Sequence, residues 1–373
     1  MNVIFTCGGT AGHINPAIAV ANILRERHPD CRILFIGAKG HMEEKLVPQA
    51  GYELKCLPGA GLVRGVSPKA IRKNAKVVSD LFGSIRECKK IIREFDADVI
   101  VGTGGYASFP ALYAGSKLGV PTCVHESNAV PGLTTKMAAN RATRVLVCFE
   151  ESAKYYRHPE KVEVVGMPVR KEFISTEKAQ ARKALGLDSR PLVVSAFGSL
   201  GAKAMNHAMA DFMALEQKAG SPFQHIHATG TYGWKWMPEH LQKLGVATGE
   251  GTSIDLREYI YDMPMVMAAA DLIIGRAGAS TCNEIGASGT PCILIPSPNV
   301  TNDHQMKNAK ILADRGGAVL IPEGEDMGRK LFDAVTGLLD DAQRMNRMSE
   351  ILRSMVVLDS AERICDMVEE LSK

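Results

Sequence analysis

Short apolar runs rich in β-branched residues alternate with longer segments of helical periodicity along nearly the whole chain. Thirteen of these runs are candidate strands: NVIFT, RILFIG, YELKCLP, ADVIVGTG, PTCVHE, RVLVCF, VEVVG, LVVSAFG, FQHIHATG, IDLREYI, DLIIGRAG, PCILIPSP and AVLIPE. Such alternation is typical of parallel sheets built from βα units. The sequence therefore predicts an α/β fold of doubly wound parallel sheets.

The strand series is interrupted by the charged stretch MPVRKEFISTEKAQARKALGLDSRP and then restarts. Both series open alike, with a strand, a glycine-rich turn (CGGTAGH, then FGSLGAK) and a helix. We therefore predict two similar domains, residues 1–165 and 166–344, facing across a cleft between the carboxyl ends of their sheets, where such folds bind ligands. The helical segment at about 345–373 is predicted to pack back on the first domain.

Composition limits the class of protein. Of 373 residues, 46% are apolar and 23% are charged, with a formal net charge of +3, so the chain is globular and its overall charge does not indicate nucleic-acid binding. Nine cysteines without a C-x-x-C pair predict reduced, buried packing residues. The chain enters a strand at once, without a signal segment, and no apolar run approaches the ~20 residues of a spanning helix. We expect a cytoplasmic protein.

The glycine-rich turns first suggest a dinucleotide site, since backbone N–H groups at a helix N-terminus favour phosphate. The dinucleotide fingerprint also needs an acidic residue at the end of the second strand, about 20 positions on. That strand ends FIGAKG, with Lys39 and no acid, and the second loop also lacks one. A P-loop is absent too. With a third glycine turn, GTGGYASFP, the loops favour phosphate binding of another kind.

Asp96-Ala97-Asp98 matches the D-x-D pattern of metal-dependent sugar transfer. These aspartates precede the strand VIVGTG and so belong at its amino end, the wrong edge of a parallel sheet for a site. We interpret them as a solvated turn. No other cluster has ligand spacing, so we predict neither a metal nor a cofactor.

Seven motifs in order, GGTAGHINP, GTGGYASFP, HESNAVPG, GMPVR, GSLGA, RAGASTCNEI and DHQMKNA, span nearly the whole chain. Together they resemble the lipid I N-acetylglucosaminyltransferases of glycosyltransferase family 28. The resemblance implies a GT-B fold and inverting transfer of N-acetylglucosamine (GlcNAc) from UDP-GlcNAc to the C4 hydroxyl of MurNAc-pentapeptide on undecaprenyl diphosphate (lipid I), giving lipid II. The implied partners are these substrates, the anionic inner leaflet of the cell membrane and other cell-wall synthesis proteins.

The resemblance also implies which residues bind the donor. Glu284 would accept from the ribose hydroxyls, the backbone of Ile260 would meet uracil, and Gln305 would reach the sugar or phosphate end. Backbone amides near Ser199 and at a helix start would hold the diphosphate, helped by Arg170, whose alternative is a surface charge in a linker. The remaining residues assigned to UDP-GlcNAc are Thr10, Ala11, Gly12, Asn128, Ala279, Ser280, Thr281, Cys282 and Asn283.

A general base must take the proton of the attacking hydroxyl. His13, at a strand's carboxyl edge, is the first candidate; the alternative is that it caps its loop or binds the acceptor's diphosphate. Glu126 is the rival base, whereas Asn128 would position hydroxyls because an amide cannot take the proton. The residues assigned to the acceptor are Gly104, Gly105, Tyr106, Ser108 and His125.

The segment Lys69–Arg93 carries eight Lys or Arg residues against two acids. Val77, Val78, Leu81, Phe82 and Ile85 fall among them at helical spacing, as in a helix that lies on an anionic membrane. AGLVRG, residues 60–65, would extend this surface. The alternative is an ordinary amphipathic helix with its apolar stripe on the core. With a lipid-linked acceptor, we expect a peripheral protein on the cytoplasmic face of the cell membrane.

Two other functions fit parts of this pattern. One is another GT-B enzyme that uses a UDP-sugar, such as a glycolipid synthase or a UDP-GlcNAc 2-epimerase. The epimerase would need catalytic acids that we do not find. The other is a UDP-sugar sensor without catalysis, in which substitution of His13 or Glu126 would remove no activity.

Overall fold

The computed structural model of this protein describes residues 1–58, 67–249, 251–300 and 303–373. It consists of two compact units, one formed by Met1–Val169 with Val357–Lys373 and the other by Arg170–Val356. The AGLVRG segment at 60–65 lies outside the described residues.

The first unit contains a seven-stranded sheet whose strands are all parallel, in the order β3-β2-β1-β4-β5-β6-β7. Each strand coincides with one of the predicted apolar runs. The strands are β1 Asn2–Thr6, β2 Arg32–Ala38, β3 Glu53–Leu57, β4 Val99–Gly102, β5 Thr122–Glu126, β6 Arg144–Val147 and β7 Val162–Val164.

Helices cover both faces of this sheet. Apolar side chains of α1 and α16 pack on one face and those of α3, α4 and α5 on the other, so the central strands are buried on both sides. The helices are α1 Ala11–Arg27, α2 Glu43–Gln49, α3 Pro68–Phe95, α4 Ser108–Leu118, α5 Leu133–Ala139 and α16 Ser360–Leu371, and short 3₁₀ turns lie at Glu150–Tyr155 and Pro159–Lys161.

The second unit repeats the design with a six-stranded parallel sheet in the order β10-β9-β8-β11-β12-β13. Its strands are β8 Leu192–Ala196, β9 Gln224–Ala228, β10 Ile254–Arg257, β11 Leu272–Gly275, β12 Cys292–Leu294 and β13 Ala318–Leu320. Its helices are α6 Glu172–Ser175, α7 Lys178–Ala184, α8 Lys203–Lys218, α9 Gly230–Trp234, α10 Met237–Lys243, α11 Met263–Ala269, α12 Ala279–Ser288, α13 His304–Asp314, α14 Met327–Leu339 and α15 Ala342–Ser354.

In each sheet the strand order reverses at one place. The chain moves outward from β1 to β2 and β3, then returns to place β4 on the other side of β1; β8 and β11 stand in the same relation. Loops that leave adjacent strands in opposite directions open a crevice at the carboxyl edge, where ligands bind in doubly wound folds. The predicted fold class is therefore confirmed, and each unit has one expected ligand edge.

The C-terminal segment differs from our expectation that all of about 345–373 packs on the first domain. It forms two helices, and α15 packs against α12 and α14 of the second unit. Gly286 of α12 has no side chain where Val356 approaches it, which allows this close contact. Only α16 packs on α1, where Ile364, Cys365 and Val368 join the core of the first unit.

All nine cysteines are free, as predicted. Seven are buried, and Cys31 and Cys56 are half-buried, so nearly all serve as small apolar packing residues. In the part of the chain that the structure describes, no helix combines the length and apolarity needed to cross a membrane.

Candidate functional site

Two glycine loops meet at the point where the first sheet reverses its order. Gly105, with a φ of 82°, packs directly on the backbone of Gly8, so any Cβ at 105 would collide with the Gly8 carbonyl. The Thr103 hydroxyl donates to the His13 carbonyl oxygen at 2.6 Å. The β1–α1 and β4–α4 loops therefore form one joined surface at the carboxyl edge of the sheet.

His13 lies in the first turn of α1 with its ring against Gly104. A Cβ on Gly104 would lie 2.7 Å from His13 Cδ2, so glycine makes the room for the ring. His13 Nδ1 lies 3.2 Å from the Gly8 carbonyl oxygen. Because a carbonyl only accepts, this contact is a hydrogen bond only when Nδ1 carries the hydrogen. The Thr10 hydroxyl lies 3.3 Å from the same Nδ1 and can accept from its N–H in that tautomer. The lone pair of the neutral ring is then on Nε2, which can take a proton.

Glu126, the rival base, is engaged at the end of β5. Its Oε1 accepts from the Asn128 backbone N–H at 3.0 Å and from Asn128 Nδ2 at 2.9 Å, and its Oε2 accepts from the Gly132 N–H at 3.1 Å. Three donors on a buried carboxylate brace the 126–132 loop. The Glu126 carboxylate thus binds Asn128 and Gly132 of its own loop. Because this carboxylate already accepts three hydrogen bonds, the geometry favours His13 over Glu126 as the base.

Glu43 is an important residue that sequence reasoning missed. It is fully buried, and its carboxylate accepts from the Gly9 N–H at 3.2 Å and from the Ala38 N–H at 3.0 Å. It therefore ties the first glycine loop to the end of β2. The dinucleotide fingerprint requires its acid at the end of that strand, where Lys39 stands, whereas Glu43 is the first residue of helix α2. Since this carboxylate already binds the protein's own backbone, it is not the free ribose ligand of a dinucleotide site.

His125, which we expected at the acceptor site, has a buried side chain. It is 1% exposed, and its Nε2 donates to the Gly166 carbonyl at 2.8 Å. Burial lowers the pKa of the imidazole, so it stays neutral. Both faces of β5 are covered, which the HESNA motif alone does not reveal. His125 instead fastens β5 to the start of the chain segment that leaves the sheet.

The other acceptor candidates lie together in the second loop. The hydroxyl of Ser108 donates to the Gly105 carbonyl at 2.8 Å and is buried, so it holds the loop rather than a ligand. Gly104 and Gly105 contribute backbone with positive φ. Tyr106 is half-buried, and its hydroxyl lies 2.6 Å from His41 Nε2. Backbone and phenol are thus the parts of this loop that can meet a ligand.

In the second unit, the start of α12 follows β11 at the corresponding edge. Gly278 precedes the helix without any side-chain cap, and the first N–H groups, those of Ala279, Ser280 and Thr281, point out of the helix end. Such a terminus favours an anion. Ser199 is exposed in the loop after β8, the strand next to β11. Both predicted diphosphate elements therefore lie at the carboxyl edge of adjacent strands.

Glu284 lies one turn into α12 and is mostly buried. Burial raises the pKa of its carboxyl group to about 7, while the positive charge of Arg170 lowers it. Arg170 is exposed, stands just before α6, which packs on α12, and lies over the Phe173 ring at 5.2 Å from its centroid. A mostly buried carboxyl group whose pKa is raised by burial, with a positive charge nearby, is typical of a binding or catalytic site.

The remaining donor candidates divide by burial. Cys282 and Asn283, which we expected at the donor site, have buried side chains, and Asn283 Nδ2 donates to the Ala279 carbonyl at 2.9 Å within α12. Ile260 is buried too, which leaves its backbone for a ligand. Gln305 Oε1 accepts from the Ser297 N–H at 2.8 Å, which orients the amide and leaves Nε2 to donate.

Arg276 is a second residue that the sequence did not single out, although it lies in the motif RAGASTCNEI. Its guanidinium donates to the Ile295 carbonyl at 3.1 Å and pairs with Glu323 at 2.7 Å. It thereby fixes the β11–α12 connection that aims the helix N-terminus. Its position directly after a buried strand was the available signal.

The Asp-Ala-Asp turn lies where the sequence placed it, at the amino end of β4. Asp98 accepts from the Asn2 N–H at 2.7 Å, and the Asp96 carbonyl accepts from Asn2 Nδ2 at 2.8 Å. These groups fasten the start of β1. Within the ranges that the structure describes, no three His, Cys, Asp or Glu side chains are grouped so that they could hold a metal ion.

Comparison with known proteins gives matches along both units. The glycosyltransferase family 28 N-terminal domain matches residues 3–147 and the family's C-terminal domain matches 192–364. A protein of Acetivibrio thermocellus named UDP-N-acetylglucosamine--N-acetylmuramyl-(pentapeptide) pyrophosphoryl-undecaprenol N-acetylglucosamine transferase is 38% identical, covering 100% of this chain and 99% of the relative. A protein of the same name from Lactococcus lactis is 35% identical, covering 100% of each.

Solved structures give the same result. The crystal structure of Acinetobacter baumannii MurG matches with a TM-score of 0.76 at 27% identity and covers 99% of each chain. A UDP-GlcNAc 2-epimerase from Neisseria meningitidis, bound to UDP-GlcNAc, matches with a TM-score of 0.66 at 14% identity, which shows a common fold alone. These similarities confirm the GT-B fold that the motifs predicted.

Proposed function

Because this chain belongs to glycosyltransferase family 28, we propose that it transfers GlcNAc from UDP-GlcNAc to the C4 hydroxyl of MurNAc-pentapeptide on undecaprenyl diphosphate, with inversion. The observation that carries the proposal is the full-length identity of 35% to 38% with relatives whose name states this donor and this acceptor. The site chemistry described above supports the proposal.

The departing UDP must be stabilised as the bond from the sugar C1 to the phosphate oxygen breaks. That oxygen leaves with the electron pair, so negative charge develops on the diphosphate. The uncapped N-terminus of α12 and the exposed Arg170 guanidinium are the groups that favour this charge. We assign the ribose hydroxyls to Glu284, uracil to the backbone of Ile260 and a sugar hydroxyl to Gln305 Nε2.

The attacking C4 hydroxyl loses its proton as the new bond to C1 forms. We assign this proton to His13 Nε2, because Nδ1 is already the donor to the Gly8 carbonyl. The same bond strengthens when the ring becomes positive, since a charged donor binds a carbonyl more strongly than a neutral one. The joined glycine loops around Gly8 and Gly105 would hold the acceptor's diphosphate.

Purified protein should convert labelled UDP-GlcNAc and a lipid I analogue into the β-1,4-linked disaccharide, with and without EDTA. Product is separated from donor by chromatography, and its linkage is read by NMR. Formation of UDP with no glycosylated acceptor would contradict the proposal. Release of epimerised sugar would instead favour the epimerase, and donor binding without turnover would favour the sensor.

We also propose that α3 holds the protein on an anionic membrane. Val78 and Phe82, four residues apart on one helix face, are 44% and 69% exposed, with the cations Arg72, Lys76 and Arg86 exposed nearby on the same helix. Val77 is half-buried, and Leu81 and Ile85 pack partly against the core, so the predicted surface narrows to Val78 and Phe82. The cytoplasmic leaflet, where anionic lipids attract such cations, is the proposed location.

Phe82→Glu should weaken binding to phosphatidylglycerol vesicles by roughly tenfold, because it removes an apolar side chain from the interface and adds repulsion. Cosedimentation measures the effect, and added salt should weaken binding of the unmodified protein. Leu244→Glu, at an exposed position of the second unit, is the control and should bind as before. Equal binding to neutral vesicles at high salt would contradict this surface.

A further inference from the structure

The phenol of Tyr106 is paired with a histidine from another part of the chain. Tyr106 OH and His41 Nε2 lie 2.6 Å apart, and the two rings meet edge to face with centroids at 5.8 Å. His41 stands in the short connection between β2 and α2, sixty-five positions away in sequence. Neither the glycine motifs nor the periodicity of the sequence indicates this residue.

The pair lies on the same joined surface as the candidate base. Two residues after His41, the carboxylate of Glu43 binds the Gly9 N–H, which fixes the β2–α2 connection to the first glycine loop. On the other side, Gly105 packs on Gly8 immediately before Tyr106. The β2–α2 connection is therefore a third element of the loop surface, held at a defined place beside the other two.

We propose that His41 is a positioning residue that directs the Tyr106 hydroxyl at the acceptor's diphosphate; this rests on the function proposed above. Ionised phosphate oxygens only accept hydrogen bonds, so the phenol must donate to them. His41 must then donate its Nε2–H to the phenol oxygen. In this arrangement the tyrosine hydrogen points to the ligand, and the phenol is held at its oxygen.

The protonation of Tyr106 fits this role. Burial, with the nearby Glu43 carboxylate, raises the pKa of the phenol, so it stays a neutral donor at physiological pH. A free phenol would lose rotational freedom on binding, whereas one already held by His41 has lost it before the ligand arrives. The benefit is therefore expected in the acceptor's binding and not in the donor's.

His41→Leu and Tyr106→Phe should each raise the KM for the lipid I analogue by roughly tenfold, with the KM for UDP-GlcNAc unchanged within about twofold. The double variant should be no worse than either single variant, because both changes remove one unit. His41→Gln, whose amide can donate from a similar place, should recover much of the acceptor KM. Met42→Ala, at the exposed neighbouring position, should behave as the unmodified protein.

A purely structural role would give a different result. It would lower the thermal midpoint of His41→Leu without separating the two KM values, and that outcome overturns the inference. Additive losses in the acceptor KM of the double variant would mean that the two residues act independently, which overturns it as well. If the unmodified protein fails to glycosylate the acceptor, the proposed function itself is wrong. The two failures are therefore distinguishable in one set of assays.

Discussion

His13→Asn should lower kcat by about 10²-fold to 10⁴-fold while leaving both KM values within a few-fold, because it removes the base and little else. The asparagine amide can replace Nδ1 as the donor to the Gly8 carbonyl oxygen, which lies 3.2 Å from His13 Nδ1 in the structure. It offers no lone pair in place of Nε2 that could take a proton. Steady-state kinetics with the lipid I analogue measures the change.

The same variant separates the two roles that the sequence left open for His13. If the histidine only holds the acceptor's diphosphate, the acceptor KM rises and kcat at saturation is preserved. Asn15→Ala, at an exposed position in the same turn of α1, is the matched control and should retain full activity. A kcat for His13→Asn within threefold of the unmodified protein would exclude His13 as the base and leave Glu126 as the candidate.

Glu284→Gln should weaken UDP-GlcNAc binding at least tenfold and also stabilise the protein at pH 8 by up to about 3 kcal/mol. The carboxyl group has a pKa of about 7 in the folded protein against 4.5 in its reference state. Below pH 4.5 it is protonated in both states and contributes no pH-dependent difference. As pH rises to 7, the folded state resists ionisation, so the free energy of unfolding falls, and above pH 7 the full loss persists.

The glutamine variant does not lose free energy of unfolding as pH rises, because its side chain at position 284 carries no charge. Its thermal midpoint should exceed that of the unmodified protein by several degrees at pH 8, and the gain should fall to about a quarter of this at pH 5. Glu172→Gln, an exposed acid on α6, is the control and should show no such difference. An equal rise of the thermal midpoint at both pH values would contradict the statement that burial raises the pKa of Glu284.

Donor binding provides a second measurement on the same residue. Only the ionised carboxylate accepts two ribose hydroxyls, so the Kd of the unmodified protein for UDP-GlcNAc should rise as pH falls below about 7. Glu284→Gln should lack this dependence. Isothermal titration across pH 5 to 8 compares the two proteins, and a flat profile for the unmodified one would contradict the assignment.

Much of the fold was predictable because strands buried on both faces read as continuous apolar runs. All thirteen predicted strands are present, and the glycine turns lie at the carboxyl edges where the reversal of strand order opens a site. These features are local in sequence. The division of the last segment between two units was not predictable, since α15 and α16 have similar periodicity and differ only in what they pack against.

The candidate site was predictable where a motif carries its own backbone geometry, and less so where a role depends on distant contacts. Gly105 and Gly8 require glycine because two loops touch. Three residues have roles that depend on backbone or side chains far along the chain: Glu43, His41 and Arg276. The residues next to them in sequence therefore give little indication of these roles. His125 shows the same limit, because its burial and its hydrogen bond to the distant Gly166 carbonyl are not evident from the motif around it.

The placement of α16 on α1 has a consequence for the order of biosynthesis. The second unit, Arg170–Val356, is an insertion within the first, whose remaining part begins at Val357. During translation the whole second sheet has left the ribosome before Ile364 and Val368 can cover the apolar face beside α1. The unit that starts the polypeptide is therefore the last to finish its core, the reverse of the usual amino-terminal-first sequence.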